Sequence, residues 1–314
     1  MLVLVTGGCG FIGSHLVDSL MDAGHSVRVL DDLSTGSRRH LPAAAELVEA
    51  CITDDAAVAA AARGVEAIYH LAAIASVARS NEARLATHRV NQTGTIAVLE
   101  AARARRLPVV YASSAAVYGD LDRIPLDEAA QPRPLTAYGA DKLGSELHAS
   151  VAARLNGVPN AGLRFFNVYG PRQRPDSPYS GVISIFADRV RRGLALRLHG
   201  DGGQTRDFIH VADVVRALTM AMEQCRGAAA AGNAHAEVYN ICTGVPTTIA
   251  GLAEVVMAAA GRRVPIEHEP ARPGDIRASV GDPTHALARL GFRAATDLAQ
   301  GLGSLLDHDA AATA

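Results

Sequence analysis

The sequence predicts an α/β fold in which helices cover both faces of a parallel sheet. An apolar, β-branched run over residues 2–5 leads into a glycine-rich turn at 6–13 and then into a segment with apolar residues at helical spacing. Short apolar runs alternate with helical patterns as far as Phe166, which is typical of a doubly wound, Rossmann-type sheet. Polar and glycine-rich segments follow these runs, at the strand ends where such sheets bind ligands.

The first strand-to-helix turn predicts a dinucleotide-binding site. Gly7, Gly10 and Gly13 let the backbone turn sharply, approach a pyrophosphate and pack the helix against the strand. Phe11 and Ile12 lie at the start of that helix, whose free N–H groups would face the phosphates.

The second strand ends at two acidic residues that bear on the choice of cofactor. Asp31 lies 18 residues after Gly13. An acid near that distance accepts hydrogen bonds from the adenosine ribose and repels a 2′-phosphate, which favours NAD over NADP. For Asp32, a ribose contact and a turn or capping role are both open.

The same patterns predict the remaining elements. We expect strands over 26–30, 46–51, 67–71, 109–113, 162–166 and 237–241. We expect helices over 12–20, 82–105, 138–155, 182–192, 213–224 and 248–260. Thr53 should cap a helix with Asp54 and Asp55 in its first turn, and Thr248 should cap the last of these helices. Residues 227–232 are expected to form a surface loop, and the tail at 308–314 is expected to fray.

Composition narrows the class of protein. The chain has 314 residues, 49% of them hydrophobic, and a net charge of -2, which gives no reason to expect a nucleic-acid or membrane partner. The first strand begins at Met1, so no signal peptide is expected and we predict a cytoplasmic protein. The four cysteines show no paired spacing and are expected to be reduced thiols. The twelve histidines form no metal-binding motif, so no metal site is predicted.

A tyrosine and a lysine four residues apart predict an acid–base site. Tyr138 and Lys142 share one face of a helix, and a nearby ammonium and a nicotinamide cation would favour the phenolate. The result would be a general base that works near neutral pH. Ser113 and Ser114 end a strand 24 residues earlier, and a serine there could hold the same substrate oxygen. Ser114 could instead satisfy the backbone at the strand end.

These stretches together resemble the extended short-chain dehydrogenase/reductase family, within its nucleotide-sugar epimerase/dehydratase group. The resemblance covers almost the whole chain, from Leu2 to about Phe292. Its main stretches are residues 6–13, 71–73, 113–119, 138–142, 164–172, 202–211, 239–241 and 270–275.

The resemblance implies roles for individual residues. Tyr138 would be the acid/base, Lys142 its partner and a ribose ligand, and Ser114 the second hydroxyl at the sugar. The NAD-binding residues would include Ile52, Leu71, Ala72, Ala73, Asn91, Ser113 and Phe165. The substrate-binding residues would include Asn167, Arg206 and Arg272 at the pyrophosphate, Asp275 at the nucleotide ribose, and Val182 and His199. Cys51 stands where the family usually has an aspartate that contacts adenine, so that contact is lost.

Two alanines bear on the reaction. Dehydratases of the group carry an Asp-Glu pair after the strand serine, and decarboxylases carry a glutamate, whereas this chain has Ala115 and Ala116. The resemblance therefore implies 4-epimerisation of a UDP-sugar through a 4-keto intermediate, with NAD regenerated in each cycle. A net oxidoreductase and a non-catalytic NAD-binding protein remain alternatives.

The choice of sugar depends on two further positions. Ser279 lies where the family places a residue that closes the sugar pocket, and a small residue there leaves room for an N-acetyl group. Arg174 lies where relatives that act on UDP-glucuronic acid place an arginine, although it could also be a solvated loop residue. The resemblance thus implies UDP-glucose/UDP-galactose and N-acetylated sugars as substrates, with UDP-glucuronic acid as the alternative.

The resemblance also implies a division into domains and an assembly. Residues 1–166 would form the NAD-binding domain, to which a segment at about 203–242 returns. Residues 167–202 and 243–307 would form a smaller C-terminal α/β domain for the nucleotide sugar. The long helices that start near Glu82 and Tyr138 resemble those through which the family forms a four-helix bundle, so we expect a homodimer.

Overall fold

The computed structural model describes residues 1–121, 123–173, 181–271 and 276–313, with side chains as far as 308. The strands within these ranges are β1 (Leu2–Thr6), β2 (Ser26–Asp31), β3 (Glu46–Glu49), β4 (Ala67–His70), β5 (Val109–Ser114), β6 (Asn160–Phe165), β7 (Asn167–Tyr169), β8 (Leu196–His199), β9 (Thr205–His210), β10 (Ala236–Ile241), β11 (Pro246–Thr248), β12 (Ile266–Glu269) and β13 (Ala278–Ser279). The α-helices are α1 (Phe11–Asp22), α2 (Asp55–Ala61), α3 (Val77–Glu82), α4 (Arg84–His88), α5 (Gly94–Arg103), α6 (Ala137–Asn156), α7 (Val182–Arg192), α8 (Val211–Ala230), α9 (Ile249–Ala259), α10 (Thr284–Leu290) and α11 (Leu298–Thr313).

Seven strands form one parallel sheet in the order β10-β6-β5-β4-β1-β2-β3. The side chains of β1 alternate between its two faces, so that Val3 and Val5 pack into a core that includes Leu16 of α1, and Leu4 into a core that includes Val98 of α5. The strand order reverses between β1 and β4, which makes the carboxyl ends of these two strands the expected ligand site. The predicted fold class is confirmed.

The later part of the chain builds smaller sheets around β9. Strands β7, β11 and β13 all pair with β9, while β8 pairs with β12. A separate apolar core here includes Phe186 of α7, Val256 of α9 and Leu302 of α11. Of the segment expected to return to the first domain, β10 joins the large sheet and β9 does not. The division into two domains stays a prediction.

The helix expected over 82–105 is interrupted. Helical structure begins earlier than expected, at Val77 in α3, and continues through α4, a π-helical segment at Arg89–Thr93, and α5, which ends at Arg103. In this segment the carbonyl of Asn91 accepts a hydrogen bond from the hydroxyl of Thr95 at 2.6 Å and lies 3.3 Å from the hydroxyl of Ser145, whose shorter contact is to the Asp141 carbonyl at 2.9 Å. The helical apolar spacing continues through this segment, so the sequence pattern predicts one uninterrupted helix.

Three smaller predictions differ from the structure. Asp54, not Thr53, caps α2, because its Oδ1 accepts from the amide of Ala57 at 3.0 Å. The expected loop at 227–232 is largely helical, since α8 continues to Ala230 through alanines that favour a helix. The tail expected to fray belongs to α11 as far as Thr313. Thr248 caps α9 as predicted.

Candidate active site

The glycine turn between β1 and α1 forms a cradle that side chains would fill. Gly7 has a φ of +73°, and a Cβ there would lie 2.6 Å from the amide nitrogen of Ala72. A Cβ on Gly13 would overlap the carbonyl oxygen of Gly7. No side chain caps the start of α1 at Gly10, so the helix presents its first N–H groups to a ligand.

A cavity of about 460 Å³ opens beside this turn. Most of the predicted cofactor residues line it, namely Gly7, Gly10, Phe11, Ile12, Gly13, Asp31, Asp32, Ile52, Leu71, Ala72 and Ala73. Residues that the sequence did not single out also line it, among them Ser34, Thr35, Ala50, Ile74, Ala75, Arg79, Ala86, Val90 and Ala112. Five predicted cofactor residues are not on its lining, namely Asn91, Ser113, Tyr138, Lys142 and Phe165.

Asp31 holds the glycine turn against the end of β2. Its Oδ2 accepts from the amide of Cys9 and its Oδ1 from the amide of Leu33, both at 2.9 Å. Burial raises the pKa of this carboxyl, and these two hydrogen bonds oppose the increase. The side chain of Asp32 accepts a hydrogen bond from the amide of Ser34 at 3.0 Å. This is the turn role that the sequence allows for Asp32, the other being a contact with the ribose.

Ser114, Tyr138 and Lys142 come together at the carboxyl end of β5. Thr136 caps α6 and places Tyr138 in its first turn. The side chain of Ser114 hydrogen-bonds to that of Tyr138, while its Oγ also accepts from the amide of Ala116 at 3.1 Å. Lys142 Nζ lies 5.8 Å from the centroid of the Tyr138 ring and donates to the carbonyl of Ala112 at 2.8 Å. The sequence predicted this cluster, and the acid–base role of Tyr138 remains a prediction.

The pKa of Tyr138 is raised, whereas the sequence led us to expect that the nearby Lys142 would lower it. Burial raises the pKa of Tyr138, and only the hydrogen bond from Ser114 acts against the increase. Burial also lowers the pKa of Lys142 to about 8, although the nearby carboxylates of Asp141 and Glu146 oppose this. Removal from water is therefore the largest effect on both groups, and it opposes formation of the phenolate.

Three predicted cofactor residues act within the protein framework. The hydroxyl of Ser113 donates to Glu146 at 2.5 Å, and Arg164 makes two hydrogen bonds to the same carboxylate. Asn91 clamps the loop after β4, since its side chain accepts from the amide of Ile74 (2.8 Å) and donates to the Ile74 carbonyl (3.1 Å). Phe165 lies in the core beneath the sheet end.

A buried chain of hydrogen bonds, which no local sequence pattern predicts, lies beneath the cavity. Thr6 Oγ1 lies 2.7 Å from His70 Nδ1, and His70 Nε2 lies 3.0 Å from Thr95 Oγ1. Thr95 donates its only hydroxyl proton to the carbonyl of Asn91, so His70 must carry its proton on Nε2 and accept on Nδ1. At the other end, Thr6 Oγ1 accepts from the amide of Ala72 on the cavity wall at 3.3 Å. Burial lowers the pKa of His70 to about 3, so the ring stays neutral.

The predicted substrate residues are only partly described. Asn167 is exposed at the start of β7, and Val182 begins α7. Arg206 donates to the carbonyls of Thr205 and Ile276, and Ser279 of β13 is its register partner across the strand pair. His199 donates to the carbonyl of Pro270 at 3.3 Å. Arg174, Arg272 and Asp275 lie outside the described residues.

Comparison with known proteins identifies the family to which the chain belongs. The model of the NAD dependent epimerase/dehydratase family matches residues 3–242. The chain belongs to this family. The chain is 37% identical over 315 residues to the UDP-glucose 4-epimerase of Mycolicibacterium smegmatis. The match covers 98% of each chain.

Solved structures of the same family share the fold. A UDP-glucose 4-epimerase of Thermotoga maritima, solved with UDP-glucose, is 35% identical with a TM-score of 0.93 over 100% of both chains. A UDP-N-acetylglucosamine 4-epimerase of Methanobrevibacter ruminantium, in complex with UDP-N-acetylmuramic acid, is 30% identical with a TM-score of 0.92, covering 99% of this chain and 98% of the other.

The cofactor of the family fits the described cavity. The glycine cradle leaves room for a pyrophosphate at Gly7 and Gly13, and Asp31 lies at the strand end where a ribose is bound. NAD is therefore the cofactor, as the sequence predicted. Among the residues that the structure describes, no cluster of three or more His, Cys, Asp or Glu could hold a metal ion, and no helix is both long and apolar enough to cross a bilayer.

Proposed function

We propose that this protein is an NAD-dependent UDP-sugar 4-epimerase. The cluster of Ser114, Tyr138 and Lys142 at the carboxyl end of β5 carries the proposal. The names of the relatives with matching folds support it.

The roles of the three side chains follow from their positions. Tyr138 would remove the proton from the 4-hydroxyl of the sugar and return it after the sugar has turned over, while Ser114 would hydrogen-bond to the same oxygen. Lys142 donates to the carbonyl of Ala112, which lines the cofactor cavity, and its Nζ lies 5.8 Å from the centroid of the Tyr138 ring, so it would hold a positive charge near the tyrosine. NAD would supply a hydride acceptor and donor for C4 of the sugar, and its oxidised nicotinamide would supply a positive charge that favours the phenolate of Tyr138.

The turn after Ser114 argues against the other reactions of the group. Residues Ala115–Val117 form a single 3₁₀ turn directly after β5, next to the proposed sugar position. Ala115 and Ala116 place no carboxyl there, so neither position supplies the extra acid/base group for removing water or carbon dioxide.

UDP-glucose and UDP-galactose are the proposed substrates, and we propose that N-acetylated forms are also accepted. Ser279 is half-buried and is the register partner of Arg206, so the strand pair that carries the proposed pyrophosphate ligand also carries a small side chain that would leave room at the sugar. UDP-glucuronic acid is the alternative substrate, and it depends on Arg174, which lies outside the described residues.

One set of assays tests these assignments. Purified protein should interconvert UDP-glucose and UDP-galactose without added NAD, and NAD should be recoverable from the denatured protein. A requirement for a stoichiometric supply of NAD would instead indicate a net oxidoreductase. Activity on UDP-N-acetylglucosamine should fall in a Ser279→Tyr variant while activity on UDP-glucose persists. A preference for UDP-glucuronic acid that Arg174→Ala abolishes would overturn the choice of sugar.

A further inference from the structure

One arginine on the wall of the cofactor cavity has no assigned role. Arg79 lies in α3, and the hydroxyl of Ser76, the cap of that helix, accepts from the Arg79 amide at 3.0 Å. The side chain of Arg79 lines the same cavity as the glycine turn.

The described residues that line the cavity carry more negative than positive charge. Among the described residues that line the cavity, Asp31 and Asp32 bear negative charges and Arg79 is the single cation. A dinucleotide brings two further negative charges on its pyrophosphate. Backbone N–H groups at the start of α1 carry only partial charges, so a full positive charge nearby would favour binding.

The guanidinium of Arg79 is available for such a contact. Within the described part of the chain it makes no hydrogen bond and no ion pair, and its side chain is exposed to solvent. The loop that precedes it, residues 71–75, also lines the cavity and meets Gly7 at Leu71 and Ala72, so Arg79 and the glycine turn belong to the lining of one cavity.

We propose that Arg79 is a cofactor-binding residue that holds the pyrophosphate of NAD from α3. The inference depends on NAD as the cofactor and not on which sugar is the substrate. The guanidinium presents a planar pair of donors that suits phosphate oxygens, and the interaction weakens as salt screens it.

Calorimetric titration of the full chain, freed of copurified nucleotide, tests the proposal. Arg79→Ala should raise the dissociation constants of NAD and ADP about tenfold, the scale of one charge-assisted hydrogen bond. It should leave the affinity for adenosine unchanged. Arg79→Lys should lose less affinity, and the affinity of the wild type for NAD should fall more steeply with salt than that of Arg79→Ala.

Matched controls separate the possible outcomes. Arg84→Ala removes an exposed arginine from α4 that is not on the cavity lining, and it should bind NAD like the wild type. An equal loss for adenosine would show that Arg79 contacts the base, and a loss confined to adenosine 2′,5′-bisphosphate would place it at the ribose; either result overturns the proposal. Unchanged NAD affinity in Arg79→Ala refutes it while leaving the cofactor assignment intact. A wild type that does not bind NAD refutes both.

Discussion

Burial of the charged Lys142 side chain lowers the stability of the folded protein. Its side chain is only 3% exposed, and burial lowers its pKa from 10.5 to about 8. Since one pKa unit corresponds to about 1.4 kcal/mol, the ammonium destabilises the native state by about 3 kcal/mol at neutral pH. The hydrogen bond to the Ala112 carbonyl offsets part of this cost.

Lys142→Met should therefore stabilise the protein by about 2 kcal/mol at pH 7 while abolishing activity. Between pH 8 and 10.5 the unfolded wild type binds a proton that the native state does not, so wild-type stability rises with pH in that window. The advantage of the variant should then shrink from pH 8 towards pH 10. Urea unfolding at pH 7 and at pH 10 measures this, and a difference that does not change with pH would contradict it.

Tyr138→Phe removes the proposed acid/base but keeps the ring. We expect kcat to fall about 10²-fold or more, the scale of general acid–base catalysis. The dissociation constant of the UDP-sugar should change little, because only the hydroxyl at the reacting carbon is lost. Steady-state kinetics and calorimetry on the same preparation separate the two effects, and normal turnover would show that Tyr138 is not the base.

His70→Leu should destabilise the fold by about 2–3 kcal/mol. The substitution leaves the hydroxyl of Thr6 buried without its acceptor, and an unsatisfied buried group costs about 1–3 kcal/mol. Combining it with Thr6→Val removes both partners and should recover part of the loss. Denaturant unfolding of the two single variants and the double variant checks this coupling, and strictly additive effects would argue against the hydrogen-bond chain.

At the level of elements, the turn between β1 and α1 leaves no room for a side chain. Gly13→Ala places a Cβ against the carbonyl of Gly7, so the turn must open and NAD binding should be lost. Gly227→Ala is the matched control, because its Cβ would meet no atom within 4 Å in α8. That control should gain about 0.5–1 kcal/mol of stability from helix propensity. NAD titration and thermal unfolding of both variants decide the comparison.

Some elements and contacts could be predicted from sequence and others could not. The strands of the large sheet follow from their apolar runs, and the glycine turn follows from its spacing between strand and helix. The π-helical segment could not be predicted, because it keeps the apolar spacing of a continuous helix. The hydrogen bond between Thr6 and His70 joins residues 64 positions apart, and the sequence around neither residue predicts it. Arg79 was missed since a lone arginine in a helix is ordinarily a surface residue.

Considered as a whole, the molecule exposes a stripe of large apolar side chains along α6. Leu147, Val151 and Leu155 follow one another at intervals of four and are 62%, 49% and 78% exposed. Leu85 on α4, a helix in contact with α6, is 65% exposed. Exposure of such an apolar surface to water is unfavourable, and burying it against another chain would lower the free energy. We propose that a second copy of this chain covers it.

The homodimer is tested at this stripe. Leu147→Glu combined with Leu155→Glu should give a monomer, because the charges would be buried unpaired in the interface. Leu287→Glu changes an equally large, half-exposed residue on α10 and should leave the assembly intact. Light scattering at micromolar concentration measures all three proteins, and a monomeric wild type would refute the proposal.

The position of β10 has a consequence for biosynthesis. It completes one side of the large sheet by pairing with β6, yet about 70 residues separate the two strands along the chain. A ribosome needs roughly 4–14 s to add that many residues. Until β10 has been made, the amide and carbonyl groups on that side of β6 have no partner strand. Such an unpaired edge can pair with a neighbouring polypeptide. Recruitment of a chaperone to ribosomes that have passed codon 165 but not codon 241 would protect this edge.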